Sequence, residues 1–202
     1  MPTLELDRLA MSYGPRALFH GLSATVTGGE TLVVTGTNGA GKSTLLKIIA
    51  GLARPEEGCV RFDGELPTDR RRALGYAAPD TQLYAELTGD ENLEFFRRLR
   101  GLPPEAITGL LKRVGLSPSR GSDRVSEYSS GMRQRLKLAA SLLGAPPLLV
   151  WDEPTATLDA RGVGLVEDIL DAQRRRGGIT VLATNDADEA GRWADQRVQI
   201  GR

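Results

Sequence analysis

Apolar and polar positions alternate over the first sixty residues and run together in the later ones. Leu4, Leu6 and Leu9 between charged neighbours predict an edge strand, and Ser12, Tyr13, Gly14 and Pro15 turn the chain. Residues 22–27 alternate again before Gly28 and Gly29, and 31–35 form a short β-branched strand. An apolar helix follows over 45–50 and ends at Gly51. After the turn at 55–58, residues 59–62 predict a strand running into Asp63 and Gly64, and 74–78 another, stopped by Pro79. From Asp90 the pattern becomes helical, with helices expected over 91–100, 104–114 and 130–143. The runs 148–151 and 179–184 are continuous and apolar, the kind buried on both faces of a parallel sheet. Helices are expected over 161–176 and 186–193, and a last strand over 197–200. The expected fold class is α/β: an N-terminal antiparallel β-subdomain, then a parallel core interrupted by an α-helical subdomain at about 80–145, all within one domain over 1–202.

Between the strand at 31–35 and the helix that follows lies Gly36-Thr37-Asn38-Gly39-Ala40-Gly41-Lys42-Ser43-Thr44, which fits the phosphate-loop pattern G-x-x-x-x-G-K-[ST] at every fixed position. Glycines let the backbone turn tightly with amides pointing inward, and the helix adds its positive end. Lys42 is placed to reach β- and γ-phosphates, and the Ser43 hydroxyl to ligate Mg²⁺. Downstream, four apolar residues lead into Asp152 and Glu153. At the carboxyl end of a parallel strand, where ligands sit, Asp152 is expected to bind Mg²⁺ and Glu153 to polarise a water near the γ-phosphate. The serine-rich turn Tyr128-Ser129-Ser130-Gly131 opens an amphipathic helix, either a plain serine cap or a second anion site.

Composition narrows the class further. Forty per cent hydrophobic and 26% charged residues in a chain of 202 are enough for a sizeable core. Lys plus Arg and Asp plus Glu are equal at 26 each, leaving no net pull toward nucleic acid. Basic runs at 70–72, 97–100 and 174–176 are expected to be solvated faces. The single cysteine, Cys59, excludes an internal disulfide framework and is expected as a buried, inert thiol in a reducing compartment. The charged N-terminus lacks an apolar signal segment, and no window approaches a membrane span of roughly 18 apolar residues. The expectation is a cytoplasmic protein that meets the inner face of the membrane only through a partner.

The order of these motifs resembles the ATP-binding subunit of ABC transporters over essentially the whole chain. The loop at 36–44 is similar to that family's Walker A, and L-L-L-V-W-D-E-P-T to its Walker B with a catalytic glutamate. Y-S-S-G-M-R-Q-R-L stands where the family signature is found. By the same resemblance, Tyr13 stacks on adenine, residues 156–159 are the D-loop ending in Asp159, and residues at 90–143 are the helical subdomain. The resemblance implies a P-loop NTPase core, ATP and Mg²⁺ as ligands, and a head-to-tail pair of ATP-binding subunits, homo- or heterodimeric. Ser129 and Gly131 of one copy then meet the γ-phosphate held by the other, and the pair drives an integral membrane subunit.

Three departures bear on turnover. Where the family has a glutamine that contacts Mg²⁺ or water, this chain has Pro79; Asp80 or Gln82 could stand in, with Asp80 preferred as a carboxylate ligand. Where the family has a histidine after the second buried strand, this chain has Asn185, which donates one hydrogen bond to phosphate but carries no charge. The signature's first glycine is Ser130 and its glutamine is Met132. ATP binding is expected intact, with hydrolysis by Glu153 slow or partner-dependent. The short length is similar to heme-export ATPases of cytochrome c maturation, and the signature to drug- and lipid-export ATPases, which points to an exporter. The alternatives are a degenerate domain paired with an active one, or a soluble ABC switch of translation or DNA repair. The switch lacks its usual second nucleotide domain or coiled-coil insertion here.

Overall fold

The computed structural model describes residues 1–63 and 74–201. The basic run at 70–72 and Gly64 lie outside the described residues. The alternating N-terminal segments form an antiparallel sheet in the order β2-β1-β4, from β1 (Thr3–Tyr13), β2 (Arg16–Thr27) and β4 (Glu57–Phe62). β1 is therefore the central strand, not the expected edge. Its second side is taken by β4, pairing Leu4 with Phe62 and Leu6 with Val60, so that all four side chains enter one buried layer. The register slips between Asp7 and Ala10, with Arg8 in the left-handed region at φ 46°. Gly58 faces this bulge at φ 79°, and a Cβ there would lie 2.2 Å from the Asp7 carbonyl oxygen. Cys59 is half-buried rather than buried, because it sits on the strand position opposite the core-facing Val60.

The second sheet is parallel, in the order β5-β6-β7-β3-β8. Its members are β3 (Thr31–Thr35), β5 (Leu74–Ala77), β6 (Leu148–Asp152), β7 (Ile179–Ala183) and β8 (Gln196–Gln199). Every residue of β6 and β7 is buried, as continuous apolar runs between two packed layers must be. One face packs on α1 (Lys42–Ile49) and the antiparallel sheet; the other packs on the helices that follow. On that second face the buried Trp151 Nε1 donates to Ser141 Oγ at 3.0 Å.

Between β5 and β6 run α2 (Gly89–Leu99), α3 (Leu110–Arg113) and α4 (Ser130–Ser141). α2 starts in a capping box, Thr88 Oγ1 accepting from the Glu91 amide and Glu91 from the Thr88 amide. The helix expected over 104–114 is broken in two. A single turn at Pro104–Ile107 ends where Thr108 becomes extended and Gly109 left-handed at φ 73°, before α3 begins. The chain still buries Leu110, Leu111 and Val114, so the apolar spacing marks a buried face on a backbone that is not one continuous helix. α5 (Ala160–Arg175) and α6 (Ala187–Trp193) flank β7. Of the two described arginine runs, 174–176 is exposed as expected and so is Arg98, while Arg97 and Arg100 are partly buried; several of these side chains also hold neighbouring groups. Arg97 holds Glu94 and the Leu102 carbonyl, Arg100 donates to the Leu74 carbonyl, and Arg176 donates to the Ala145 and Pro146 carbonyls. They tie helix ends to loops that lack other donors. Among the described residues no helix is long and apolar enough to cross a membrane.

Candidate functional site

The glycine loop leaves β3 at the carboxyl edge of the parallel sheet. Gly36 takes φ 153°, and a Cβ there would come within 2.5 Å of the Ile200 carbonyl oxygen, so only glycine fits between β3 and the chain end beyond β8. Gly39 and Gly41 are left-handed at φ 76° and 105°, turning the backbone back into α1. Gly41 caps α1 without any side-chain hydrogen bond. The first amides of the helix are thus available to an anion. Lys42 is buried on the loop it belongs to: its Nζ donates to the Gly36 carbonyl at 2.9 Å, the Thr37 carbonyl at 3.3 Å and Asn185 Oδ1 at 2.6 Å.

β6 delivers the two acids. Asp152 is 4% exposed; burial pushes its carboxyl up, while the Ser43 hydroxyl and the Lys42 ammonium pull it back down. Glu153 follows in the left-handed region at φ 50°, a strained conformation held by its amide donating to the Ala183 carbonyl at 2.9 Å. Past that kink the Glu153 carboxylate meets Asn185, two residues beyond β7. Asn185 Nδ2 donates to Glu153 Oε1 at 2.5 Å and the Asn185 amide to Oε2 at 3.4 Å. Burial pushes the Glu153 carboxyl up as well, opposed by the Asn185 amide and Lys42. Asn185 therefore joins the loop lysine to the second acid. The turn carrying it is fixed by Thr184, whose hydroxyl donates to the buried Glu189 carboxylate at 2.7 Å and accepts from the Asp186 amide at 3.1 Å.

The result is a cleft of about 330 Å³ that brings together Tyr13, Asn38, Gly39, Gly41, Lys42, Ser43, Thr44, Asp152, Glu153 and Asn185. Tyr13 forms an exposed rim, at 62%. Leu18 also lines the cleft, packing under Gly41; nothing in its strand pattern marked it as a site residue. Pro79 lines the cleft and Asp80 does not. Asp80 Oδ2 is paired with Lys47 Nζ at 2.6 Å, since Lys47 lies on α1 just past Ser43 and takes the carboxylate before it reaches the cleft. Gln82 is exposed. The stretch before Asp80 is anchored by Lys137 of α4, donating to the carbonyls of Ala78 at 3.1 Å and Pro79 at 2.6 Å. Lys47 and Lys137 carry no signal in the sequence, because each acts through a partner distant in the chain or through a backbone carbonyl, and Glu189 acts only on Thr184, behind the turn that carries Asn185.

Besides Asp80, the loop residues Gly36, Thr37 and Ala40 do not line this cleft, and neither do Ser129, Gly131 and Asp159. Ser129 is exposed and caps α4, accepting from the Met132 amide at 3.2 Å. Gly131 lies so near the Thr157 carbonyl that a Cβ would sit 3.1 Å from it. Asp159 caps α5 through the Gly162 amide at 2.9 Å and holds Arg135 of α4 at 2.8 Å. The turn at 128–131 and the segment at 156–159 thus lie against one another, outside the cleft lining.

A parallel sheet carrying a glycine phosphate loop, a buried lysine and a paired-acid strand end, with an antiparallel sheet beside it, is the core of a P-loop NTPase. The model of the family described as ABC transporter matches residues 19–156, and the chain belongs to that family. It is 40% identical over 186 residues to the cytochrome c biogenesis ATP-binding export protein CcmA of Methylococcus capsulatus, covering 86% of both chains. It is 34% identical over 209 residues to the Fe(3+) ions import ATP-binding protein FbpC 1 of Rhodococcus jostii; that match takes in 98% of this chain but the chain spans only 59% of that relative's length. Among solved structures it is similar to a dimeric bacterial ABC transporter cassette, with a TM-score of 0.87 and 25% identity over 98% of this chain and 94% of the other.

Proposed function

We propose that the cleft around Lys42 binds ATP with Mg²⁺, and that the chain hydrolyses ATP as the energy-supplying subunit of a membrane transporter. The single observation carrying this is the gathering of the loop lysine, both acids and Asn185 in one cleft at the carboxyl edge of a parallel sheet. In this reading the glycine loop, residues Gly36, Thr37, Asn38, Gly39, Ala40, Gly41 and Thr44, cradles the polyphosphate, Lys42 meets its β- and γ-phosphates, and Tyr13 stacks on adenine. Among the described residues no three acids, histidines or cysteines gather into a metal cage. That suits Mg²⁺, which takes one or two protein oxygens and completes its shell with phosphate and water. The Ser43 hydroxyl and the Asp152 carboxylate are those oxygens; when bound, the ion neutralises phosphate charge. Glu153 orients the attacking water, and its raised proton affinity suits it to accept that proton.

Ser129, Gly131 and Asp159 stand away from the cleft of their own chain, which supports a head-to-tail pair in which each copy completes the other's site. The pair is homo- or heterodimeric, cytoplasmic, and held at the inner face of the membrane by an integral membrane subunit. The export relative is matched at nearly full length on both sides, which supports the export direction over import. Pro79 and Asn185 favour one other reading, ATP binding without turnover in partnership with an active subunit. Glu153→Gln separates the two: hydrolysis that falls at least tenfold, with an ATP-dependent dimer appearing on a sizing column, supports the hydrolysing pair. A variant that stays monomeric with ATP, from a wild type without turnover, supports the alternative.

A further inference from the structure

One buried polar atom near this cleft is unaccounted for. The Tyr76 hydroxyl is enclosed and has no hydrogen-bond partner among the described residues. Such a group costs stability of roughly 1–3 kcal/mol, so a protein retains it where it meets a ligand or a water. The sheet register says where it faces. Tyr76 of β5 lies opposite Val150 of β6, and Val150 and Asp152 alternate onto the same face. That is the face covered by α1, from which Ser43 lines the cleft and Lys47 holds Asp80. Tyr76 is thus a diagonal neighbour of Asp152 on its own side of the sheet, within the reach of a long aromatic side chain. Burial, and after it the charges of Asp80 and Asp152, pushes the phenol's ionisation well above the ordinary tyrosine value. The hydroxyl is a permanent donor amid acceptors.

Three residues further on stands Pro79, with no side-chain donor or acceptor and no amide hydrogen to offer the cleft. Asp80 is occupied by Lys47. Resting on the nucleotide reading above, we propose that Tyr76 is a positioning residue of that site. Its hydroxyl donates to Asp152, through one bridging water, and so orients the carboxylate oxygen that faces the cation, in the place where Pro79 supplies nothing.

Tyr76→Phe removes only the oxygen. The test measures binding of Mn²⁺, as a spectroscopic substitute for Mg²⁺, to the full chain saturated with ADP, by electron paramagnetic resonance. ADP affinity in chelator and thermal stability without nucleotide are measured beside it. The proposal expects Mn²⁺ affinity to fall roughly fivefold, the scale of one lost hydrogen bond, with ADP affinity in chelator and the melting temperature unchanged. It further expects Pro79→Gln, added to Tyr76→Phe, to restore part of the Mn²⁺ affinity. Unchanged Mn²⁺ affinity in Tyr76→Phe overturns the proposal, as does a large drop in melting temperature, which makes the hydroxyl structural. Failure of wild type to bind ADP would instead overturn the nucleotide reading itself.

Discussion

Asn185 Nδ2 lies 2.5 Å from Glu153 Oε1, while its Oδ1 accepts from Lys42 Nζ at 2.6 Å. A neutral amide thus ties the loop cation to the acid that faces the expected γ-phosphate. Both ends of that amide are in use, so a phosphate bound as proposed above would compete with Asn185 for Lys42 and meet a Glu153 aligned by a group without charge. Asn185→His replaces it with a longer side chain that can be cationic. Its expected effect is a several-fold higher steady-state ATP turnover with little change in ATP affinity. An unchanged rate would place the γ-phosphate contact on another residue.

The acids give a pH dependence whose sign can be worked out. Burial holds Glu153 above the ordinary value of 4.5 in the folded chain. Its working, ionised form is therefore lost as pH falls through that raised value, and turnover should show an acid limb above pH 4.5. Stability runs the other way. The folded state binds more protons than the unfolded one between the two values, so stability decreases as pH rises through that window. Nucleotide-free Glu153→Gln should accordingly melt above wild type at pH 7, with the difference shrinking in acid. Melting curves from pH 4 to pH 8 check both the sign and the window.

The patch around the turn at 128–131 is held by Asp159, which serves α5 as a cap and Arg135 as an ion partner. Asp159→Ala removes both and should cost about 1 kcal/mol, lowering the melting temperature by about 2–4 °C. Asp159→Asn retains the cap and should recover most of that loss. The pair of substitutions, measured without nucleotide, separates helix capping from the surface ion pair, whose own worth is small.

Gly36→Ala tests the loop's close approach to the chain end. The added methyl meets the Ile200 carbonyl at 2.5 Å with the backbone at φ 153°. A destabilisation of roughly 2 kcal/mol or more is expected, with nucleotide affinity lost in parallel. Calorimetric unfolding together with a nucleotide titration reads both.

Much of this was legible in the chain because the features are local. The strand, glycine loop and helix at 31–50 depend on spacing that backbone geometry imposes, and the acids at 152 and 153 follow directly on a run buried on both faces. What was not legible depends on neighbours distant in sequence. β1 looks like an edge strand until Val60 and Phe62 come to its open side. The break at Gly109 is hidden by apolar spacing that a helix and a kinked pair of turns satisfy equally well. Asp80 is a plausible ligand from its chemistry alone; Lys47, which takes it, becomes visible as its partner only once β5 is laid beside α1. The bridge from Lys42 through Asn185 to Glu153 spans the ends of three strands and has no signature in any one segment.

The central claim is that the cleft at Lys42 is a nucleotide site. The most direct measurement is thermal unfolding of wild type and Lys42→Ala with and without ATP and Mg²⁺. At ligand about a hundredfold above its dissociation constant, wild type should gain about 5 °C or more. Lys42→Ala, whatever its own melting temperature, should gain almost nothing from the same addition. A wild type that fails to respond to ATP and Mg²⁺, or a variant that gains as much as wild type, would contradict the account.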